Sequence, residues 1–170
     1  NDYFYYGGLP EILSFQNKRS MLSSLYQKIY LGDICARNNI KSDRVLNILI
    51  KKMAESVKQP LSFNRLKNVI VATGAPISVP TTIDYVDYAS DSWLILPMEN
   101  EVGKLTEKEM QKKYYFVDNG LLNLFLMNSE TSLLENMVAV ELCRRFGKNN
   151  VFFLNAEKEI DFIVPDQKMA

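Results

Sequence analysis

The chain of 170 residues contains no histidine. That absence excludes Ser-His-Asp and Cys-His catalysis, His-ligated zinc and imidazole pH switches from this chain's own side chains. Cysteine is scarce too. Cys35 and Cys143 are too few for a disulfide framework or a four-thiolate zinc site. Both fall among apolar helix positions, and reduced, packed thiols account for them most simply. Neither sign of charge dominates, with 20 Lys+Arg against 20 Asp+Glu. A zero balance argues against a surface built throughout for nucleic acid or anionic membrane. No apolar run reaches the roughly 18 residues that cross a bilayer, and no charged-then-apolar leader opens the chain. A cytoplasmic location without a membrane partner is therefore expected. Gly7-Gly8 lacks the Gly-x-x-x-x-Gly-Lys-Ser/Thr arrangement that cradles phosphates, so no cofactor site is expected on this chain. The sequence starts at Asn1 without Met and stops just after a strong strand pattern, which reads as a piece of a longer protein.

What is present is mostly helical periodicity. Residues 3–13 read as an aromatic loop broken by Gly7-Gly8 and Pro10. Ser20 can cap a helix with Leu22, Leu25, Tyr26 and Ile29 on its apolar face, and Asp33 to Arg37 make a short helical or turn element. Val45, Leu49, Met53 and Val57 recur every four residues, with Leu46 and Ile50 widening the stripe, which predicts a helix over 43–58. Ser62 caps a second helix ending at Thr73-Gly74, and Thr81 or Thr82 caps a third with Ile83, Val86, Tyr88 and Ala89 inward. Two strands follow, 93–98 and 112–117, separated by a charged stretch from Glu99 to Gln111. A short helix over 121–127, a longer one from Ser132 to Phe146 closed by Gly147, and a hairpin across residues 155–158 complete the chain. Three helices and then two strands is the order of a winged helix-turn-helix, with residues 99–111 as the wing. The expected fold class is thus α+β: a helical lead-in over 1–40, a winged-helix domain over 41–128, and the truncated start of a further α/β domain over 129–170.

Two sets of residues are candidates for function. Residues 41–70 carry seven basic side chains against two acidic, whereas residues 81–110 carry seven acidic against two basic. DNA affinity is dominated by phosphates, so a reading helix and wing should be basic. Here the basic charge sits on the supporting helices, where Arg44, Lys51 and Lys58 recur every seven residues. Those three are the candidate nucleic-acid contacts; the alternative is a solvated helix face or a surface meeting a partner. The second set is acidic. Glu159 and Asp161 share one face of a strand and Glu135 lies on the preceding helix, and carboxylates converging from a helix and a strand suit a hard divalent cation such as Mg²⁺. An ordinary structural account also exists for each. Ser132-Leu133-Leu134-Glu135 matches a capping box, and Glu159 and Asp161 could be the wet face of a strand whose dry face is Ile160, Phe162 and Val164. Glu141 is placed to pair with Arg144 and Arg145.

Five separated pieces, in order, carry a resemblance: Gly7-Gly8-Leu9-Pro10-Glu11; Asp33-Ile34 with Arg37; Thr82-Ile83 with Tyr85; Tyr114 through Leu121; and Leu134 through Val138 with Glu141-Leu142, then Glu159-Ile160-Asp161-Phe162. Together they resemble the C-terminal region of the prokaryotic family of predicted AAA+-type ATPases. The resemblance implies an ATPase module preceding Asn1, which would bind ATP and Mg²⁺ and be this chain's first partner. It also implies a winged helix and a terminal domain related to the PD-(D/E)xK nuclease fold. In that fold Glu135 would be the helix acid and Asp161 the strand acid, the catalytic and metal-binding candidates. The Glu-x-Lys strand would lie beyond Ala170, so this chain by itself is expected to be catalytically silent. The expected function is a non-catalytic DNA- or protein-binding, regulatory part of such an ATPase. Its rivals are part of a Mg²⁺-dependent DNA nuclease, or a structural docking or homo-oligomerisation module, which the acidic third helix and the aromatic Tyr3–Tyr6 segment would suit.

Overall fold

The computed structural model describes residues 2–40, 43–127, 130–156 and 158–165. Lys41 of the basic set, Glu157 of the hairpin turn and residues 166–170 lie outside the described residues, as does the side chain of Glu107. The architecture is α+β, with the helices gathered around two small antiparallel sheets.

The amino-terminal segment is helical where a loop was expected. Helices α1 (Asp2–Tyr6) and α2 (Pro10–Leu13) flank Gly7, which turns the chain at φ 78°. Pro10 enters at the start of α2, where its missing N–H leaves nothing unsatisfied. Helix α3 (Lys18–Lys28) is capped by Asn17, whose side chain accepts from the Ser20 N–H; Ser20 is the capped residue rather than the cap. The helix does not stop before Asp33. It continues as π-helical backbone over Ile29–Ala36, which absorbs the element expected separately at Asp33–Arg37.

Helix α4 (Asp43–Glu55) buries Val45, Leu46, Leu49, Ile50 and Met53, the expected stripe. Each fully buried aliphatic side chain contributes about 1.5–3 kcal/mol to folding. The helix ends at Glu55, so Lys58 lies beyond it and is not on the same helical face as Arg44 and Lys51. Strand β1 (Leu61–Ser62) leads into α5 (Phe63–Ala72), and Ser62 caps it as expected by accepting from Arg65 N–H. Helix α6 (Val79–Asp91) is capped by Ser78, not by Thr81 or Thr82. Strands β2 (Ile95–Met98) and β3 (Gln111–Phe116) pair antiparallel, and β3 also takes β1, giving the order β1-β3-β2. The charged stretch between them is not simply an open loop, because α7 (Leu105–Met110) forms in it. Glu107, Lys108, Glu109 and Met110 are good helix formers.

Asp118 caps α8 (Asn119–Asn123), and α9 (Glu130–Phe146) follows. Because α9 starts at Glu130, Ser132 and Glu135 sit inside it and make no capping box. Gly147 closes it at φ 85°. Strands β4 (Phe152–Asn155) and β5 (Glu159–Ile163) then form the expected hairpin. Its supposed dry face is only partly dry, since Ile160 is exposed while Phe162 and Val164 are half-buried. The hairpin is joined to the end of β2: Glu101 N–H donates to Phe153 O at 2.8 Å and Phe153 N–H to Glu99 O at 3.0 Å.

Candidate functional site

The acids singled out by the sequence do meet, and they meet around a lysine. Strand side chains alternate, so Lys113 and Tyr115 share a face of β3. Both reach Glu135 on α9: the Tyr115 hydroxyl donates to Glu135 Oε1 at 2.9 Å, and Lys113 Nζ lies 3.5 Å from it. From β5, Asp161 and Glu159, also two apart, approach the same ammonium at 2.8 and 3.4 Å. Lys113 Nζ further lies over the Phe153 ring, 5.6 Å from its centroid. The Lys113 side chain is 0% exposed, against 12% for Glu135, 55% for Glu159 and 53% for Asp161. Burial works against its charge, but the Asp161 hydrogen bond and the charges of Glu135, Asp161 and Glu159 outweigh it, and the Lys113 pKa rises. Burial pushes the Glu135 carboxyl up, opposed by Lys113 and by the Tyr115 hydroxyl.

This geometry bears on the metal expectation. The three carboxylates converge on one point, and a buried monovalent cation of this chain already occupies it. A divalent ion could enter only by displacing an ammonium held from three elements. Among the described residues, no group of three or more His, Cys, Asp or Glu is placed to hold a metal ion. The donor set as arranged does not fit Mg²⁺.

A second buried polar cluster joins three of the pieces quoted for the resemblance. Asp118 accepts from Gly120 N–H at 2.8 Å and Leu121 N–H at 3.4 Å, and its other oxygen accepts from Gly8 N–H at 2.8 Å. Gly7 packs so closely that a Cβ there would lie inside the Asp118 carboxylate. Asn119 donates to Phe4 O and Leu133 O, and Asn123 to Tyr5 O. Asn136 of α9 donates to Phe116 O and accepts from Phe116 N–H at 2.7 Å, supporting the end of β3. These bonds satisfy buried polar groups that would otherwise each forfeit about 1–3 kcal/mol. They fasten the amino-terminal segment to α8 and α9.

The basic candidates do not form one stripe. Arg44 donates to Thr73 O at 3.1 Å and lines a groove of about 570 Å³ with Gly74, Ile77, Ser78, Thr81 and Tyr85, at the start of α6. Lys51 is exposed one face-repeat along α4. Lys58 instead donates to Thr131 Oγ1 at 3.0 Å, against α9. On α6 the three aspartates Asp84, Asp87 and Asp91 are all exposed, and burial together with Asp91 and Asp84 raises the Asp87 carboxyl. Cys35 and Cys143 are half-buried free thiols, and burial pushes both up. Among the described residues, no helix is long and apolar enough to cross a membrane.

The sequence pattern missed Lys113 and Asp118. The signal for Lys113 was a lysine two residues before Tyr115 inside a run otherwise destined for burial. For Asp118 it was Asp-Asn-Gly before an apolar helix, a cap signature.

A family model described as Domain of unknown function (DUF8612) matches residues 1–132. The chain is 29% identical over 169 residues to an uncharacterized protein of Haemophilus influenzae, covering 96% of this chain and 42% of that protein. It is 28% identical over 172 residues to the uncharacterized protein MJ1544 of Methanocaldococcus jannaschii, covering 96% of this chain and 38% of that one. It thus spans less than half the length of these curated relatives. No solved structure matches it significantly.

Proposed function

The chain belongs to the DUF8612 family, a domain of unknown function, and from that premise we propose that it is the non-catalytic binding and regulatory part of a longer, cytoplasmic AAA+-type ATPase. The observation that carries the non-catalytic reading is the buried Lys113 ammonium at the centre of Glu135, Glu159 and Asp161. A hydrolytic metal site needs those oxygens for the cation; here they are spent on an ion pair that ties α9, β3 and β5 together. The order α4, β1, α5, α6, β2, α7, β3 with sheet order β1-β3-β2 supports a winged helix within residues 41–128, its wing carrying α7. Its partner is duplex DNA, gripped by phosphate contacts rather than base reading. The exposed aspartates of α6 disfavour entry into a groove, whereas Arg44 beside the α6 amino terminus and Lys51 are placed for phosphates. ATP and Mg²⁺ belong to the ATPase module of the longer protein.

A second reading has its own support. Glu135, Glu159 and Asp161 do converge, which a PD-(D/E)xK-type nuclease with Mg²⁺ would require once the chain beyond them is in place and Lys113 has left the centre.

The test uses the full-length protein with plasmid DNA and Mg²⁺ or Mn²⁺, wild type beside Asp161→Ala and Arg44→Glu. The expected result is no cleavage by any of them and duplex binding that weakens with salt. Arg44→Glu should bind more weakly with a salt slope smaller by about 1. Cleavage that disappears in Asp161→Ala would overturn the non-catalytic reading in favour of the nuclease. Absence of DNA binding in the wild type would overturn the DNA partner and leave a protein in its place.

A further inference from the structure

Among the described residues, Lys113 and Asp118 are the charged residues that the fold buries. Lys113 is ringed by three carboxylates, whereas Asp118 meets no cation. Its hydrogen bonds come from the neutral backbone N–H groups of Gly8, Gly120 and Leu121. Those bonds make it a tether and leave its charge uncompensated. The elements packed against α8 do not supply the missing cation. Lys18 pairs with Asp2, Arg19 donates to the Asn123 and Leu124 carbonyls, and Lys28 is exposed at the far end of α3. On the α9 side Arg144 and Arg145 share Glu141, and Lys58 donates to the Thr131 hydroxyl. Burying a carboxylate is costly without an opposite charge beside it.

Asp118 also lines a cavity of about 190 Å³, whose apolar wall is Tyr3, Leu9, Val117, Met137 and Val140. Tyr3 and Gly8 on this wall are exposed, so the cavity opens to solvent and has a buried acid within. Gly8 leaves room for the ring: a Cβ there would stand 2.7 Å from Tyr3 Cε2. We propose that this cavity binds an aliphatic ammonium or guanidinium group, with the charge against Asp118 and the methylenes along Leu9, Val117, Met137 and Val140. Asp118 Oδ1 accepts from two N–H groups, but Oδ2 accepts only from Gly8 and keeps a second lone pair for the ligand. The Tyr3 ring at the rim attracts the same charge through its π face. An anion would be repelled here, and a neutral apolar ligand would leave the acid as uncompensated as before. The group could be carried by a free amine or by a Lys or Arg side chain of another polypeptide segment. This site is independent of the DNA reading, which makes no use of the cavity.

Calorimetric titration of the full-length protein tests this, with butylammonium, butylguanidinium and the capped peptide acetyl-Ala-Arg-Ala-amide as probes and butanol as the neutral control. At matched ionic strength the cations should bind at least about tenfold more tightly than butanol. Asp118→Asn keeps the cavity and should abolish that preference. Because this variant also loosens a tether, Val140→Phe serves as the second: it leaves the acid in place, fills the cavity and should block binding in a protein that still folds. Tyr3→Leu should weaken binding by about two- to fivefold. Tighter binding of the peptide than of butylguanidinium would identify a polypeptide side chain as the source, and the reverse order a free amine. Failure of both the amines and the peptide to bind overturns the proposal. So does butanol binding as well as the cations, or unchanged binding by a folded Asp118→Asn or Val140→Phe protein.

Discussion

Asp118 is 6% exposed, and three backbone N–H groups from two separate segments point at its carboxylate. Burial raises its pKa despite those donors, and burial raises that of Glu135 as well. For both groups the folded state therefore binds more protons than the unfolded chain between the ordinary carboxylate range and the raised value. The stability they contribute is present below about pH 4 and is lost as pH rises through the raised values. Urea unfolding between pH 4 and 7 should show stability falling through this window in the wild type and falling less in Asp118→Asn. At pH 7 that variant should still be the weaker protein, by about 1–3 kcal/mol. Its amide keeps one acceptor oxygen for α8 but turns an NH₂ group toward the Gly8 N–H, leaving two donors facing each other. A variant as stable as wild type at pH 7 would remove Asp118 from its tethering role. Much at this scale was hidden from the sequence. Composition says that Asp-Asn-Gly can cap a helix, but not that a glycine 110 residues away supplies the third donor. The pairing of Glu141 with Arg144 and Arg145 is confined to one helical turn, and it was legible.

At the scale of elements, helices with long apolar stripes were readable and their ends were not. The stripe of α4 and the Ser62 cap of α5 needed only local periodicity and one side chain. The cap of α6 is expected at Thr81 or Thr82 from the sequence and lies three or four residues earlier, at Ser78. Proline is tolerated inside the first turn, where the N–H has no partner anyway, so the helix begins ahead of it and Ser78 does the capping. Ser78 Oγ accepts from Thr81 N–H at 3.2 Å and also pairs with the Thr81 hydroxyl at 2.8 Å. Ser78→Ala should therefore lower stability by about 1 kcal/mol, read as a reduced denaturant midpoint with unchanged slope, and Thr81→Ala by less. The reverse order would mean that Thr81 is the cap after all. The π-helical run after α3 had no readable signal: nothing in Ile29–Ala36 separates its hydrogen-bond register from an ordinary helix. The convergence of Glu135 with Glu159 and Asp161 was foreseeable from faces and periods. What occupied the centre was not, because Lys113 comes from a strand that the acids' own positions do not mention.

For the molecule as a whole, Lys113 has a further consequence. The β4–β5 hairpin is held to the remainder by the short backbone pairing of Glu99 and Glu101 with Phe153, by packing of Phe162 on Tyr115 at 5.7 Å between ring centroids, and by the ion pairs of Lys113 with Glu159 and Asp161. The sheet β1-β3-β2, by contrast, is backed by α4, α5 and α6 and closed by Asn136. Although Phe153 is buried in the common core, this difference in support predicts that the hairpin opens before the three-stranded sheet, and Lys113 is the main electrostatic link between them. Its raised pKa makes that link complete below the ordinary lysine range and progressively lost as pH rises through the elevated value. Lys113→Met keeps the length and apolar stem of the side chain and removes the ammonium, leaving Glu135 half-buried without its cation. Breaking such a buried pair is expected to cost about 3–5 kcal/mol, and less where the remaining partners are as exposed as Glu159 and Asp161. Native-state hydrogen exchange should locate the loss. Amides of Phe152–Asn155 and Glu159–Ile163 should open sooner in Lys113→Met, while those pairing β2 with β3 should change far less. Uniform acceleration across both sheets would mean that the molecule opens as one unit and that the ion pair supports the core rather than the attachment of the hairpin.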